Sequence, residues 1–253
     1  MSLQGKIAFV SGASSPSGNG SAIALTLARK GADVAVAGYN HMEGASSVAE
    51  EIRALGRKSM AVKMDVGNYS EVRIGLGAVK DTLGPVSILI NNAALMNHNV
   101  TLAKTTIEEW DNEVKVCLNS AFYCIKEVWA DMCSNQWGRI INITSVAGIL
   151  GGYGQTSYGA AKAGLISLAK SAALEGARFN ITANCVLVGI AKTGAYSKLP
   201  EAVREKVQKR TAIGRPADPQ EIADAVAFLA SEETRYMTGA VMNMLGGLDL
   251  FVF

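Results

Sequence analysis

The sequence predicts an α/β fold, a doubly wound parallel sheet flanked by helices, and three observations carry that prediction. Apolar strand-like runs alternate with helical patterns along the chain, the order that gives parallel strands joined by crossover helices. The first strand passes through a glycine-rich loop straight into a helix, as at the opening of a βαβ unit. With 253 residues, 49% hydrophobic and 18% charged, and with no linker or repeat, the chain reads as one open α/β domain over residues 1–253.

Taken in order, Lys6-Ile-Ala-Phe-Val-Ser11 is a short buried strand, and Gly12-Ala-Ser-Ser-Pro-Ser-Gly18-Asn-Gly20 follows as the loop. The helix pattern runs from Ser21 to Arg29. Backbone N–H groups and a helix N-terminus then converge on one point, with glycines permitting close approach, which is how a chain holds a pyrophosphate. Gly12, Ser14, Gly18, Asn19 and Gly20 are therefore candidate dinucleotide contacts. The second strand, Asp33–Gly38, should set the cofactor choice, because an acidic residue at its end would bond the ribose 2′-hydroxyl of NAD. Gly38 stands there instead, followed by Tyr39, Asn40 and His41, so NADP(H) is expected in preference to NAD(H). No arginine stands beside Gly38 to clasp a 2′-phosphate. A further strand over 86–90 leads into Asn91-Asn92-Ala93-Ala94, and Gly138–Ser145 reads as another.

Ser145, Tyr158 and Lys162 have the spacing Ser-x12-Tyr-x3-Lys. On one helix, Tyr158 and Lys162 share a face, and the cation should favour the phenolate, drawing the tyrosine down from its ordinary value of about 10 towards working pH. That is the setting of a general acid/base, with Ser145 to hydrogen-bond the substrate oxygen.

These segments together resemble the short-chain dehydrogenase/reductase family over nearly the whole chain. Asn91-Asn92-Ala93-Ala94 is similar to the family's Asn-Asn-Ala-Gly, Gly138-Arg-Ile-Ile-Asn-Ile-Thr-Ser145 to the strand ending in its catalytic serine, and Gly159 to Gly164 continues the active-site helix. Ile181-Thr-Ala-Asn-Cys-Val, Thr193, Gly214-Arg-Pro, the run Glu221 to Ser231 and Tyr236-Met-Thr-Gly-Ala-Val fall where the family has similar segments. In pattern the chain is similar to NADPH-dependent carbonyl and polyol reductases and to 3-oxoacyl-carrier-protein-reductase-like members. The resemblance implies a Rossmann-type sheet and reversible reduction of a ketone to a secondary alcohol by pro-S hydride transfer. Tyr158 would be the proton donor, Ser145 would orient the oxygen, and Lys162 would both tune Tyr158 and contact the nicotinamide ribose. It further implies adenine contacts at Asp65 and Val66, cofactor contacts along Asn92 and Ala93, and contributions from Gly38, Tyr39, Gly189 and Thr193.

Three departures from the family pattern stand out. The glycine loop is about two residues longer, through Pro16-Ser17, and Val188-Gly189 replaces Pro-Gly, which should loosen the start of the substrate loop. In Trp110-Asp-Asn-Glu-Val-Lys-Val-Cys117-Leu-Asn-Ser-Ala-Phe122, Cys117 falls where the family carries a catalytic asparagine thought to hold a water linking the lysine to solvent. Asn119 cannot stand in, since two residues turn an α-helix by about 200°. A thiol is a weak donor and weak acceptor, so turnover is expected to be slowed rather than lost, a backbone carbonyl near 117 holding the water. The alternative is a cofactor-binding scaffold or regulator with impaired turnover.

A formal net charge of +2 without a basic cluster argues against nucleic acid as the partner. Without an apolar run of about 18 to 20 residues or a signal-peptide pattern, a cytoplasmic protein is expected. Cys117, Cys124, Cys133 and Cys185 lack CxxC spacing, and His41 and His98 are isolated, so reduced, mostly buried thiols and no metal are expected, with His98 facing solvent in its loop. The resemblance implies a homotetramer or homodimer, with the apolar tail Leu248 to Phe253 as a subunit contact. Residues 190–210 should form a lid, and Ala94, Leu95, Met96, Leu150, Tyr153 and Tyr196 a partly apolar pocket for a small carbonyl or alcohol substrate. The sequence leaves open which ketone that is.

Overall fold

The computed structural model describes residues 1–95 and 100–250. Seven strands form one sheet: β1 (Ile7–Val10), β2 (Asp33–Gly38), β3 (Ser59–Lys63), β4 (Ile88–Asn91), β5 (Gly138–Ser145), β6 (Ile181–Val188) and β7 (Val241–Met244). Their order is β3-β2-β1-β4-β5-β6-β7 and every pairing is parallel. The chain therefore lays strands outward from β1 on one side, crosses back, and continues from β4 on the other. β1 and β4 pair in register, Ala8 with Ile88 and Val10 with Ile90, and the loops leaving their carboxyl ends part in opposite directions. That parting opens the crevice in which open α/β sheets bind ligands.

Parallel strands covered on both faces should be apolar throughout, and β6 is buried along its whole length. On one face, Ala8, Val10, Val34, Ile88 and Ile141 pack with Ile23 and Leu27 of α1 (Asn19–Arg29), Val48 and Ile52 of α2 (Met42–Ala54), and helix residues Ile222 and Val226. On the other, Phe9, Ala35, Leu89 and Ile140 meet Val72 and Val79 of α3 (Tyr69–Leu83) together with Cys124, Val128 and Ala172. The alternation of Ala8, Phe9 and Val10 between the two clusters follows from the two-residue period of a strand.

α4 (Ile107–Val114) and α5 (Ser120–Ser134) form one helical run interrupted by a π-helical turn, Lys115–Asn119. Sequence reasoning expected a plain α-helix here, so the phase it assigned to residues 117 and 119 needs correcting: a wider turn adds a residue and shifts every side chain after it. The short α6 (Ala147–Leu150) and the 21-residue α7 (Thr156–Gly176) follow β5, and two short helices, α8 (Gly194–Ser197) and α9 (Glu201–Gln208), fall within the expected lid. α10 (Pro219–Leu229) returns the chain towards β7.

The helices end in two ways. Asn68 caps α3, Thr106 and Glu109 make a capping box on α4, and Asp218 and Glu221 do so on α10, with Pro219 opening the helix. α1 and α7 have no side-chain cap and no acidic residue in the first turn. Both of these start at the carboxyl edge of the sheet, beside the crevice.

Val188 is buried and paired with Met244, its carbonyl accepts from the N–H of Val146, and the N–H of Gly189 donates to Met244 O at 3.2 Å. The expected loosening at Val188-Gly189 is thus offset by the ladder to β7. The tail is described only to Leu250, which is exposed, and residues 251–253, like Met96 and His98, lie outside the described residues.

Candidate active site

β5 delivers Ser145 at its carboxyl end, and α7 brings Tyr158 in its first turn and Lys162 one turn later. Two bonds lock that helix to the strand: Thr144 Oγ1 donates to Lys162 O at 2.7 Å and Asn142 Nδ2 to Leu165 O at 3.2 Å. Ser145 hydrogen-bonds the Tyr158 side chain, and its Oγ accepts from the N–H of Ala147 at 3.3 Å. Lys162 is 2% exposed, with Nζ donating to Ile143 O at 2.8 Å and standing 5.5 Å from the Tyr158 ring centroid.

The titration of Tyr158 departs from the sequence expectation. Burial first, with Cys117 and Glu113 acting in the same direction, pushes the phenol up to about 12 against the Ser145 hydrogen bond, which acts to lower it. Lys162, 5.5 Å from the ring centroid, does not reverse that rise. Burial lowers Lys162 itself, with Cys117 and Cys185 acting against that. Lys162 is buried and Tyr158 partly so, and desolvation disfavours the charged form of each group, so proton position is sensitive to any further charge.

Cys117 lies in the π turn and is buried, with burial raising its thiol. Its Sγ donates to Leu95 O at 3.1 Å and accepts from Leu95 N at 3.3 Å. The thiol thus ties down the segment after β4. Cys124 and Cys185 are also buried, Cys133 is partly so, and all four cysteines are free.

The residues proposed to hold a dinucleotide gather at the carboxyl ends of β1, β2 and β4. Gly12 has φ +66°, and a Cβ there would stand 2.8 Å from Ala93 Cα, while one on Gly20 would run into Gly12 O and the Asn92 amide. Only glycine lets these segments close. Asn92 Nδ2 donates to Ser11 O and Gly12 O, and Ser11 Oγ accepts from the N–H groups of Asn92 and Ala93, so the loop and the turn after β4 form one floor. Asn19 Oδ1 is buried with no hydrogen-bond partner. The uncapped start of α1 behind the glycine loop fits an anionic pyrophosphate, whereas the orphaned Asn19 oxygen, an acceptor, calls for a donor such as a hydroxyl. Beside them, Gly38 packs on Ser14, Ala45 and Met42, and Tyr39 is 52% exposed. Asp65 Oδ1 accepts from Gly67 N, Val66 is buried, and Lys115 pairs with Asp65 at 3.7 Å. Thr193 precedes α8, and Gly194 lies against Ser17 Oγ, so the start of the lid meets the extended glycine loop.

Of the expected pocket residues, Ala94, Leu150 and Tyr153 are exposed and Leu95 is partly buried. Tyr196, in α8, is buried, its hydroxyl accepting from Gln208 Nε2, and it lines a cavity of about 510 Å³ with Lys192, Arg204 and Arg215. Sequence reasoning missed Ser11, Lys115 and Glu113. Glu113 interrupts the otherwise unremarkable helix between Trp110 and Cys117, but nothing in the sequence shows that it is buried. Among the described residues no cluster of three or more His, Cys, Asp or Glu could hold a metal, and no helix is long and apolar enough to cross a membrane.

A family model described as enoyl-(acyl carrier protein) reductase matches residues 12–249. The chain is 40% identical over 248 residues to 3-oxoacyl-(acyl-carrier-protein) reductase FabG of Pseudomonas aeruginosa, covering 98% of this chain and 99% of that one. It is 35% identical over 251 residues to (2S)-[(R)-hydroxy(phenyl)methyl]succinyl-CoA dehydrogenase subunit BbsD of Thauera aromatica, with 99% of each covered. Among solved structures, a candidate short-chain alcohol dehydrogenase from Sinorhizobium meliloti superposes with TM-score 0.92 at 30% identity, covering 99% of both chains. A candidate gluconate dehydrogenase from Agrobacterium tumefaciens gives TM-score 0.94 at 28% identity, covering 99% of this chain and 98% of that one. With the sheet order, the crevice and the Ser145, Tyr158 and Lys162 cluster already in place, these likenesses lead to one conclusion: the chain belongs to the short-chain dehydrogenase/reductase family and is an oxidoreductase with a Rossmann-type sheet.

Proposed function

We propose that this oxidoreductase reduces a 3-oxoacyl thioester to the 3-hydroxyacyl thioester, reversibly and with NADP(H) as cofactor. The carrying observation is the cluster at the end of β5, where Ser145 bonds Tyr158 and Lys162 lies one helical turn beyond it in a dry pocket. The names of the relatives support the substrate class, since both the FabG and BbsD names place oxygen chemistry on an acyl group carried by a protein or by CoA. The missing carboxylate at Gly38 and the exposed Tyr39 beside it support NADP(H).

When bound, the nicotinamide supplies the hydride. Gly12, Ser14, Gly18, Asn19 and Gly20 would hold the pyrophosphate, Gly38 and Tyr39 the adenosine ribose, Asp65 and Val66 the adenine, and Asn92, Ala93, Gly189 and Thr193 the remainder. Ser145 orients the carbonyl oxygen, and Tyr158, held neutral by burial, gives that oxygen its proton. Lys162 sits behind Tyr158 to stabilise the phenolate that proton loss leaves, and reaches the ribose. Residues 190–210 close over the substrate as a lid on a single domain, excluding water from the reacting atoms. A cytoplasmic homotetramer or homodimer completes this reading.

The test is NADPH oxidation followed with acetoacetyl-CoA and a panel of ketones, with NADH and Tyr158→Phe in parallel. The expected result is NADPH consumption that Tyr158→Phe abolishes. A folded protein that binds NADPH but consumes none with any ketone would point instead to the scaffold reading that Cys117 motivates.

A further inference from the structure

Three charged side chains among the described residues are almost fully buried: Glu113, Arg139 and Lys162. Arg139 is accounted for by the face of Trp137, two backbone carbonyls and Glu232, and Lys162 belongs to the site. Glu113 is 3% exposed and has no part in the reaction described so far. A carboxylate in such a place costs several kcal/mol unless something offsets its lost hydration.

Two neighbours supply that offset. Ser157, the residue before Tyr158 and itself buried, donates a short hydrogen bond from Oγ to Glu113 Oε2. Ser157 is the second residue of α7, whose N-terminus has no side-chain cap and no acidic residue of its own. The first turn of a helix leaves N–H groups without intrahelical partners and carries about half a positive charge. Glu113, reaching across from α4, brings the missing negative charge to that end.

We propose that Glu113 is a positioning residue for Tyr158: reaching from α4 to Ser157, it fixes the first turn of α7 and sets a negative charge at the helix end that carries the phenol. This rests on Tyr158 being the proton donor. The groups facing Tyr158 are Ser145 from β5, Lys162 from α7, Cys117 from the π turn and Glu113 from α4, and those near Glu113 include Cys117 and, across a small recess, Glu109. In that set Glu113 and Cys117 push the phenol towards its neutral form, as burial does. The design suits reduction, in which the phenol must arrive protonated.

Glu113→Gln keeps the shape and an acceptor for Ser157 while removing the charge. With NADP and 3-hydroxybutyryl-CoA, the pH at which alcohol oxidation gains its rate should fall by about one unit in this variant, the size expected of a unit charge acting across several ångströms of protein. Tyrosinate absorbance, taken as the difference between each protein and its Tyr158→Phe version with NADP bound, should show the same fall whichever alcohol is the substrate. Ser157→Ala should lower kcat several-fold without moving the pH profile, and Ser157→Thr, which keeps the hydroxyl, should restore it. An unmoved titration in a folded Glu113→Gln protein whose Tyr158→Phe version is inactive overturns this inference alone. A Tyr158→Phe protein with wild-type turnover overturns the parent reading as well. Should Glu113→Gln not fold, full activity in Ser157→Ala overturns the positioning role.

Discussion

The glycine loop and the start of α7 are two uncapped helix entrances on the same edge of one sheet, and they deal with their positive ends in opposite ways. At α1 the backbone is left open: glycines bring Gly12, Gly20 and Ala93 together, and Asn19 keeps an unused oxygen. At α7 the protein supplies its own anion, with Glu113 on Ser157. In the proposed reading the first entrance receives a charged ligand and the second holds the proton donor steady. The difference teaches that the same helix-end physics serves binding where the end is left open and chemistry where the end is already satisfied.

Substitutions at the two entrances should separate their roles. The largest effect is expected on the catalytic side: Ser145→Ala should cut kcat by about 10²- to 10³-fold, as loss of a donor to the reacting oxygen does elsewhere, and leave NADPH affinity measured by fluorescence titration unchanged. A matching loss of NADPH affinity would blur the division. Next, Gly20→Ala forces a side chain against Gly12 and Asn92, and should weaken NADPH binding about tenfold or more while the Tyr158 titration stays where it was, since overpacking costs roughly 1–3 kcal/mol.

A smaller change is expected at the ribose end. Tyr39→Asp puts a carboxylate beside the glycine of the second strand and should move the NADPH to NADH preference about tenfold towards NADH, read as the ratio of kcat/KM values. No change in that ratio would remove Tyr39 from the cofactor site. Smallest of all, Cys117→Asn gives Leu95 a stronger donor and acceptor than the thiol, so Tm should rise by a few degrees with a stability gain of about 1 kcal/mol, and kcat should rise a few-fold. An unchanged kcat with a raised Tm would show that the thiol serves only to tie Leu95.

Much of the first entrance was legible in the sequence. Strand β2 has the expected ends, Asp33 and Gly38, and β5 runs from Gly138 to Ser145 as read, because buried parallel strands are near-continuous apolar runs bounded by loop residues. The glycines showed where backbone had to approach backbone. The second entrance was only half legible. Tyr158 and Lys162 share a helix as their spacing required, but spacing placed Lys162 beside the phenol without showing that the lysine is buried and the phenol partly so. Burial reversed the expected direction of the Tyr158 shift. The π turn was invisible for a related reason: its residues, Lys115 to Asn119, have an ordinary helical pattern, and what widens the turn is how the helix fits its neighbours.

The sequence by itself determined the order of strands and helices, the glycine loop and the placing of Tyr158 and Lys162 one turn apart on one helix, since periodicity, backbone freedom and side-chain spacing are properties of residues and their near neighbours. Only the tertiary structure decided that Cys117 spends its thiol on Leu95, that Tyr196 is buried against Gln208, and that Glu113 meets Ser157 at the head of α7. Those are contacts between residues as many as 44 positions apart, and desolvation is set by everything that surrounds a group. Local patterns fix the elements, and the electrostatics of a dry site follow from how the elements pack.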